Sequence, residues 1–371
     1  MLNDHAHDTD AASPGPTTPV GAVTPDAATS ADAASPGPTS PQAGRFKVAI
    51  LSIAHTHAHA YAAALEARGD VDLVVSDPEG YGEYRTRPGG RLVSSDEEAW
   101  NAWPGGPDAV IVTSANAHHR DQVLEAARRG VHVLCEKPLA TTVADAEAMV
   151  DACREAGVVL MTAFPVHFAP AVEQLRTAVA EGALGQIVGL TGTNNGKLPG
   201  GRAWFSDTEL SGGGALVDHT VHLAEILDSM FGLPRTVHAV ANRILWADTA
   251  GEGAETGGLV TLTYDSGMVA TIDCSWSQPK DAPTWGGLTL QALGTGGQMH
   301  IDAFAQHVGG QGQWHPYGPN YDALLIDAFL DAVRTGEAVE PTGETGLRTV
   351  RIVAAAQESV RTGQPVTLEK D

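Results

Sequence analysis

Basic residues are scarce in this chain. Lys and Arg number 22 against 45 Asp and Glu, a formal net charge of −23. Nothing here neutralises a phosphate backbone or an anionic bilayer, so neither nucleic acid nor membrane is expected as a partner. Cysteine is nearly absent. Cys135, Cys153 and Cys274 are far apart and form no CxxC pair, which excludes a disulfide framework and a zinc knuckle. They read as small buried residues in a reducing compartment. No apolar run approaches the roughly 20 residues a membrane span needs. Large apolar residues are almost missing from residues 1–45, which are rich in Ala, Pro, Thr, Ser and Asp. Such a segment buries too little surface to offset its ordering entropy, so 1–45 is expected to be a disordered tail. It has no basic start, apolar centre or twin arginine, so no export signal is read and the cytoplasm is expected.

The remainder has ample core-forming material. The chain of 371 residues is 43% hydrophobic, enough for two globular domains. Short apolar runs alternate with helical patterns: Lys47–Leu51, Val71–Asp77, Leu92–Val93, Asp108–Thr113, Val131–Leu134 and Val158–Thr162 read as parallel strands. The fold class is therefore α/β. A doubly wound, dinucleotide-binding (Rossmann) sheet is expected over 46–165. Residues 166–371 read as an α+β domain with a large, mostly antiparallel open sheet. Its hairpins turn at Gly267 and at Gly294–Gly297, and its closing segment is helical from Tyr321.

The glycine fingerprint of a dinucleotide fold is also missing. After the first strand its three positions are held by Ser52, Ala54 and His57. Ser52 and Ala54 are small, and a helix N-terminus still offers free N–H groups and a positive dipole end, so a phosphate site is expected here. His55, His57 and His59 alternate through the same stretch. Histidines lining the loop are one reading. The other is a metal-dependent hydrolase of the amidohydrolase type, which carries His-x-His at the end of its first barrel strand. No later His and Asp at strand ends complete such a set, and no metal is assigned. Asp77, at the end of the second strand, suits adenosine ribose hydroxyls and repels a 2′-phosphate, favouring NAD. It also fits an Asp-Pro turn with Pro78, and the nearby Arg85 and Arg87 leave NADP open.

Cys135-Glu136-Lys137-Pro138-Leu139 follows the fifth strand, where ligands bind in an open α/β sheet. Downstream, Gly212-Gly213-Gly214 leads into a helical pattern carrying Asp218, His219 and His222. Asp218 and His222, at i and i+4, share a face. On spacing alone they are equally an ion pair stabilising the helix.

Together these motifs resemble the glucose-fructose oxidoreductase / inositol dehydrogenase (Gfo/Idh/MocA) family. The resemblance rests on Glu136-Lys137-Pro138, on Asn116-Ala117-His118-His119 after the fourth strand, and on the glycine-rich turn before Asp218-x-x-x-His222. It covers about residues 46 to 369. It implies hydride transfer between NAD(P) and a CH–OH group of a sugar, cyclitol or related polyol. Lys137, Asp218 and His222 are then the catalytic set, with His222 as base and His219 as the other candidate. Ser52, Ala54, His55, His57, Asp77, Ser114, Asn116, His119, Glu136 and Lys137 are expected at the cofactor. His167, where the family often has Arg, and Lys197, Trp204 and His219 are expected at the substrate. The family commonly pairs copies through the open sheet, so a homodimer or homotetramer is expected. A non-catalytic dinucleotide-binding regulator and an NAD-dependent glycosidase variant are the alternatives on the same fold.

Overall fold

The computed structural model describes residues 44–82, 84, 90–282, 285–310 and 313–369. The tail through residue 43 lies outside them, as do Arg85 and Arg87.

Six apolar runs build the first sheet: β1 (Phe46–Leu51), β2 (Val71–Ser76), β3 (Gly90–Val93), β4 (Ala109–Val112), β5 (His132–Glu136) and β6 (Leu160–Ala163). All pairings are parallel, in the order β3-β2-β1-β4-β5-β6. The order reverses between β1 and β4, where Leu51 pairs with Val112, and this opens a crevice beyond their carboxyl ends. Residues of β1 alternate between two cores. Val48 and Ile50 pack on one face, Ala49 and Leu51 on the other. The crossovers are α1 (His57–Glu66), α2 (Asp96–Trp100), α3 (His119–Arg129) and α4 (Val143–Ala156). The α4 helix begins at Val143 because the Thr142 side chain accepts the Asp145 N–H as an N-cap.

The second sheet is entered through α5 (Pro170–Ala180). It comprises β7 (Ile187–Gly196), β8 (Thr236–Asn242), β9 (Gly257–Thr263), β10 (Val269–Ser275), β11 (Gly286–Gly294), β12 (Gly297–Asp302) and β15 (Val366–Thr367). The order is β12-β11-β7-β10-β9-β8-β15. Only β7 and β10 pair in parallel. A short α6 (Thr208–Ser211) and the long α7 (Ala215–Phe231) lie between β7 and β8. The β13 (His307–Gly310) and β14 (Gln313–Pro316) strands form a separate ribbon, followed by α8 (Tyr321–Thr335) and α9 (Gly343–Thr362). The glycine-turn hairpins expected from the sequence are present as β9–β10 and β11–β12.

The β7 strand runs three residues past the expected end at Thr193. Asn194 and Asn195 pair with Cys274 and Ser275 of β10 on one side and with Leu288 and Gly287 of β11 on the other. Pairing on both edges overrides the weak strand propensity of asparagine. One face of this sheet packs on α7, while Val188, Val240, Leu259, Val269 and Leu293 are exposed on five strands of the sheet.

The α8 helix returns to the first sheet. Leu325, Ile326, Phe329 and Leu330 join Val48, Ile50, Tyr61 and Leu65 in one buried cluster. Phe329 is fully buried there, so Phe329→Ala should cost about 3–5 kcal/mol of unfolding free energy. Urea unfolding followed by tryptophan fluorescence checks this. A loss near zero would mean that α8 does not share the folding core.

Candidate active site

The site is assembled where β5 ends. Glu136, its last residue, is completely buried. A bare carboxylate there would be prohibitive without partners. Its Oε1 accepts the Tyr61 hydroxyl at 2.6 Å and the His57 Nδ1–H at 2.9 Å, and its Oε2 accepts the Lys137 backbone N–H at 3.0 Å. Burial alone would raise the Glu136 pKa, but His55 and His57 beside it hold the carboxyl far below its usual range. Burial would lower the His57 pKa, but the Glu136 charge and hydrogen bond together raise it above the ordinary value. Tyr61 lies one helical turn from His57 on α1, and the i,i+4 spacing brings both onto one carboxylate.

Lys137 follows, nearly buried, and its Nζ reaches Asp218 Oδ1 at 2.9 Å. The other oxygen of Asp218 accepts the Trp276 indole N–H at 3.2 Å. Burial would raise the Asp218 pKa, but Lys137 reverses this and holds the carboxyl far below the ordinary range. The pair joins the end of the first sheet to α7 beneath the second.

Glycines set the entry into α7. A Cβ on Gly214 would lie 2.0 Å from the Glu255 carbonyl oxygen. That close approach lets Glu255 accept the Ala215 N–H at 2.8 Å through its carbonyl and the Gly214 N–H at 3.0 Å through Oε1. The helix so anchored presents Asp218, His219 and His222. His222 is buried at Nδ1 with no hydrogen-bond partner, edge-on to Phe164 with ring centroids 6.0 Å apart. Burial and the nearby Lys137 charge push its pKa well below 6.5. His219 donates from Nδ1 to Asn194 Oδ1 at 3.1 Å, and its pKa is also lowered, chiefly by burial.

The loop after β1 keeps its fingerprint shape without glycine. Ser52 has φ 69°, the left-handed conformation the first glycine of the motif ordinarily supplies. Four hydrogen bonds hold it. Its N–H donates to Ser76 Oγ at 2.8 Å, its carbonyl accepts Thr113 Oγ1 at 2.7 Å, and its Oγ accepts the Ala54 N–H at 3.0 Å and donates to Glu79 at 2.9 Å. His55 is buried beside Trp204 and Phe205, and burial lowers its pKa to about 3. The α1 helix opens at Thr56 with no side-chain cap. Arg202 Nε and Trp204 Nε1 both donate to the Ala54 carbonyl at 3.1 Å.

The other expected cofactor residues follow β2 and β4. Asn116 Nδ2 donates to the Ser211 carbonyl at 2.8 Å, while its Oδ1 is buried without a partner. His119 lies between the carbonyls of Pro138 at 3.0 Å and Ser114 at 3.3 Å, pinning the turns after β4 and β5 together. Ser114 Oγ donates to Gln122 at 2.6 Å. Asp77 accepts the Tyr81 and Gly82 N–H groups at 2.9 and 2.8 Å, and so closes its own turn. A small cleft lined by Asn116, Lys137, Phe205, Ser211, Gly213 and Asp218 sits between these groups. The left-handed Ser52 and the unpartnered Asn116 Oδ1 fit a dinucleotide beyond β1 and β4.

Three expected residues have other engagements. His167 donates to Glu225 Oε1 at 2.6 Å and lies 2.9 Å from Arg176. Lys197 donates to the Ala282 carbonyl at 2.6 Å. His59 packs near Tyr84, outside the group that a histidine-based metal set would need. Among the described residues, His55, His57 and Glu136 bring donor atoms within 4.8 Å of one another. The barrel that an amidohydrolase requires is absent, since β1 is a central strand of an open six-stranded sheet. Sequence reasoning missed Tyr61, Glu79, Phe205 and Trp276. Only Tyr61 had a local signal, its spacing from His57.

Comparison with known proteins agrees with this geometry. Residues 48–164 match the family described as "Oxidoreductase family, NAD-binding Rossmann fold", and residues 172–300 match the "GFO/IDH/MocA C-terminal domain". The chain is 32% identical over 323 residues to 1,5-anhydro-D-fructose reductase from Ensifer adhaerens, covering 82% of this chain and 93% of that protein. It is 31% identical over 269 residues to D-xylose 1-dehydrogenase (NADP(+)) 2 from Haloferax volcanii, covering 71% and 81%. Among solved structures, GenD2 from gentamicin A biosynthesis in complex with NAD superposes with TM-score 0.78 at 24% identity, covering 90% of this chain and 99% of that one. Levoglucosan dehydrogenase in complex with NADH and levoglucosan gives 0.73 at 22%, covering 88% and 100%. At these identities the two structures show the fold alone. An open parallel sheet with a dinucleotide crevice and a Glu-Lys-Pro strand end over a histidine-bearing helix, together with full-length relatives, make this chain an NAD(P)-dependent oxidoreductase of the Gfo/Idh/MocA family.

Proposed function

We propose that this protein transfers hydride between NAD and a CH–OH carbon of a sugar, cyclitol or related polyol. The observation that carries the reading is the Lys137–Asp218 pair with an unpartnered His222 beside it, at the carboxyl end of the dinucleotide sheet. Two relatives of matching length are named for sugar-type substrates, a reductase and a dehydrogenase, which supports both the class and its reversibility.

The bound dinucleotide supplies the hydride acceptor or donor. The chain supplies the rest. His222, neutral because burial lowers its pKa, takes the proton of the substrate hydroxyl. Lys137 holds an ammonium where the alkoxide develops, in a site of little water and fixed dipoles. Asp218 fixes that ammonium and shares its charge with the Trp276 indole. Glu136 fixes the Lys137 backbone. In the reductive direction His222 returns the proton.

NAD is preferred over NADP because Asp77 and Glu79 both follow β2, and Glu79 touches the fingerprint loop at Ser52. A 2′-phosphate would meet two carboxylates. The exposed apolar residues of the second sheet suit pairing with a second copy of the chain, as a dimer or tetramer. Three free, buried cysteines suit a reducing, cytoplasmic location, and no helix of the described residues is long and apolar enough to cross a membrane.

The test is titration with NAD and NADP, then turnover on neutral sugars and cyclitols with reduced cofactor as readout. Turnover on a polyol is the expected result. Binding with no net reduction would instead favour the glycosidase variant or the regulator. NAD should bind at least about 10-fold more tightly than NADP, and Glu79→Gln should narrow the gap; equal affinities would sink the acid argument. Lys137→Ala and His222→Asn should each lower kcat by roughly 10²- to 10⁴-fold with far-ultraviolet dichroism unchanged. Near-normal kcat in either removes that residue from the mechanism. The low His222 pKa carries a sign. Oxidation needs the unprotonated ring, so kcat/KM should be flat as pH falls from 8 through 6.5 and drop only below that. An acid limb centred at or above pH 6.5 contradicts the role.

A further inference from the structure

His219 stands beside the catalytic set without a task in it, and its hydrogen bonds fix which nitrogen carries the proton. Asn194 Nδ2 donates to the His219 carbonyl at 3.3 Å, so the amide oxygen is the atom facing His219 Nδ1 at 3.1 Å. An oxygen acceptor there requires the proton on Nδ1. A neutral imidazole has only one N–H, so Nε2 is a bare acceptor. Burial lowers the ring's pKa and so favours its neutral form.

That Nε2 is buried and has no hydrogen-bond partner, in a residue only 6% exposed. It faces Asp218 Oδ2 at 3.5 Å, and that oxygen is itself an acceptor, taking the Trp276 N–H. Two acceptors facing each other in a buried site require a donor from outside the protein. Only a glycine at position 196 leaves room beside Nε2. A Cβ at Gly196, on β7, would lie 3.0 Å from Nε2 and 2.8 Å from the adjacent ring carbon.

We propose that His219 Nε2 accepts a hydrogen bond from a substrate hydroxyl next to the one that reacts, so that the site selects vicinal diols. This rests on the polyol dehydrogenase reading above. The spacing follows from Asp218. One of its oxygens binds Lys137, which serves the reacting hydroxyl, and the other faces His219. The two stations lie within the reach of a single carboxylate, the scale of hydroxyls on neighbouring carbons. His219 is a substrate-binding residue here, and the proton is removed by His222.

The test has two arms on the full-length protein. In the first, ¹⁵N-imidazole NMR is recorded on enzyme loaded with NADH, a non-reacting pair with an alcohol, using His219→Gln to assign the signals. The free complex should show His219 protonated at Nδ1. Adding myo-inositol, D-xylose or levoglucosan should move the Nε2 resonance toward a hydrogen-bonded acceptor. A proton on Nε2, or no movement with any of the three, overturns the proposal. In the second arm, kcat/KM is measured on the best substrate and on its analogue lacking the neighbouring hydroxyl. Wild type should lose about 10- to 100-fold on the analogue. His219→Gln retains an acceptor and should keep most of that discrimination, while His219→Leu should lose it. Discrimination equal to wild type in His219→Leu overturns the proposal. Failure of the dehydrogenase reading is a separate outcome, no cofactor reduction with any polyol, and the NMR arm still decides the role of His219.

Discussion

The Lys137–Asp218 ion pair is the constraint on which the site depends. It is buried, and burying two charges costs several kcal/mol per ion before any attraction is counted. The surroundings supply the compensation. The Trp276 indole takes the second oxygen of Asp218, and Glu136 receives the Lys137 backbone N–H. Because Lys137 directly follows a strand of one sheet and Asp218 lies on the helix beneath the other, the pair also fixes the relation between the two sheets. Removing one partner would leave the other charge buried and unpaired, which is the costly case. The catalytic geometry and the packing of the two halves thus share one interaction.

The second constraint is the buried carboxylate of Glu136. It links the fingerprint loop to Lys137 in two steps: His57 and Tyr61 hold the side chain, and the side chain holds the next peptide. This explains how the chain tolerates His57 at the third fingerprint position. A glycine there serves close helix–strand packing. Here the same contact between α1 and β5 is made by a charge-assisted hydrogen bond. The loss at the first position is compensated differently, since Ser52 adopts the left-handed backbone itself and four hydrogen bonds keep it there.

Much of this was legible in the sequence because it depends on local pattern. Apolar runs punctuated by helices gave the parallel sheet, and Gly212-Gly213-Gly214 marked the entry of α7. What stayed hidden depends on pairing between distant segments. Trp276 reaches Asp218 from a strand 58 residues away, and nothing around it in the chain distinguishes it from a core tryptophan. Asn194 looks like a loop residue until β10 and β11 are seen to flank it. The α8 helix has an ordinary amphipathic pattern, which does not say which sheet its Phe329 will enter. His167 and Lys197 illustrate the converse. Their residue types suit a ligand, but each has a strong partner in the fold at 2.6 Å.

The electrostatics also bear on which group would remove the proton in the proposed reaction. Asp218 is nearest to Lys137, yet a carboxylate stabilised by an ammonium and an indole N–H has been made a weaker base, not a stronger one. Glu136 is disqualified in the same way by His55 and His57. Lys137 itself is committed as the cation of the pair. The imidazoles remain. His55 accepts the His57 backbone N–H at Nδ1, and His57 is tied to Glu136 and biased toward its charged form. Of the two on α7, His219 is held by Asn194 as an acceptor whose Nε2 faces a carboxylate. A proton taken there would be held by Asp218 and would draw the aspartate away from Lys137. His222 has no such competitor at its buried Nδ1, and burial with the nearby Lys137 charge pushes its pKa well below the ordinary value. In the proposed mechanism it is the imidazole that gains a proton without dismantling the Lys137–Asp218 pair.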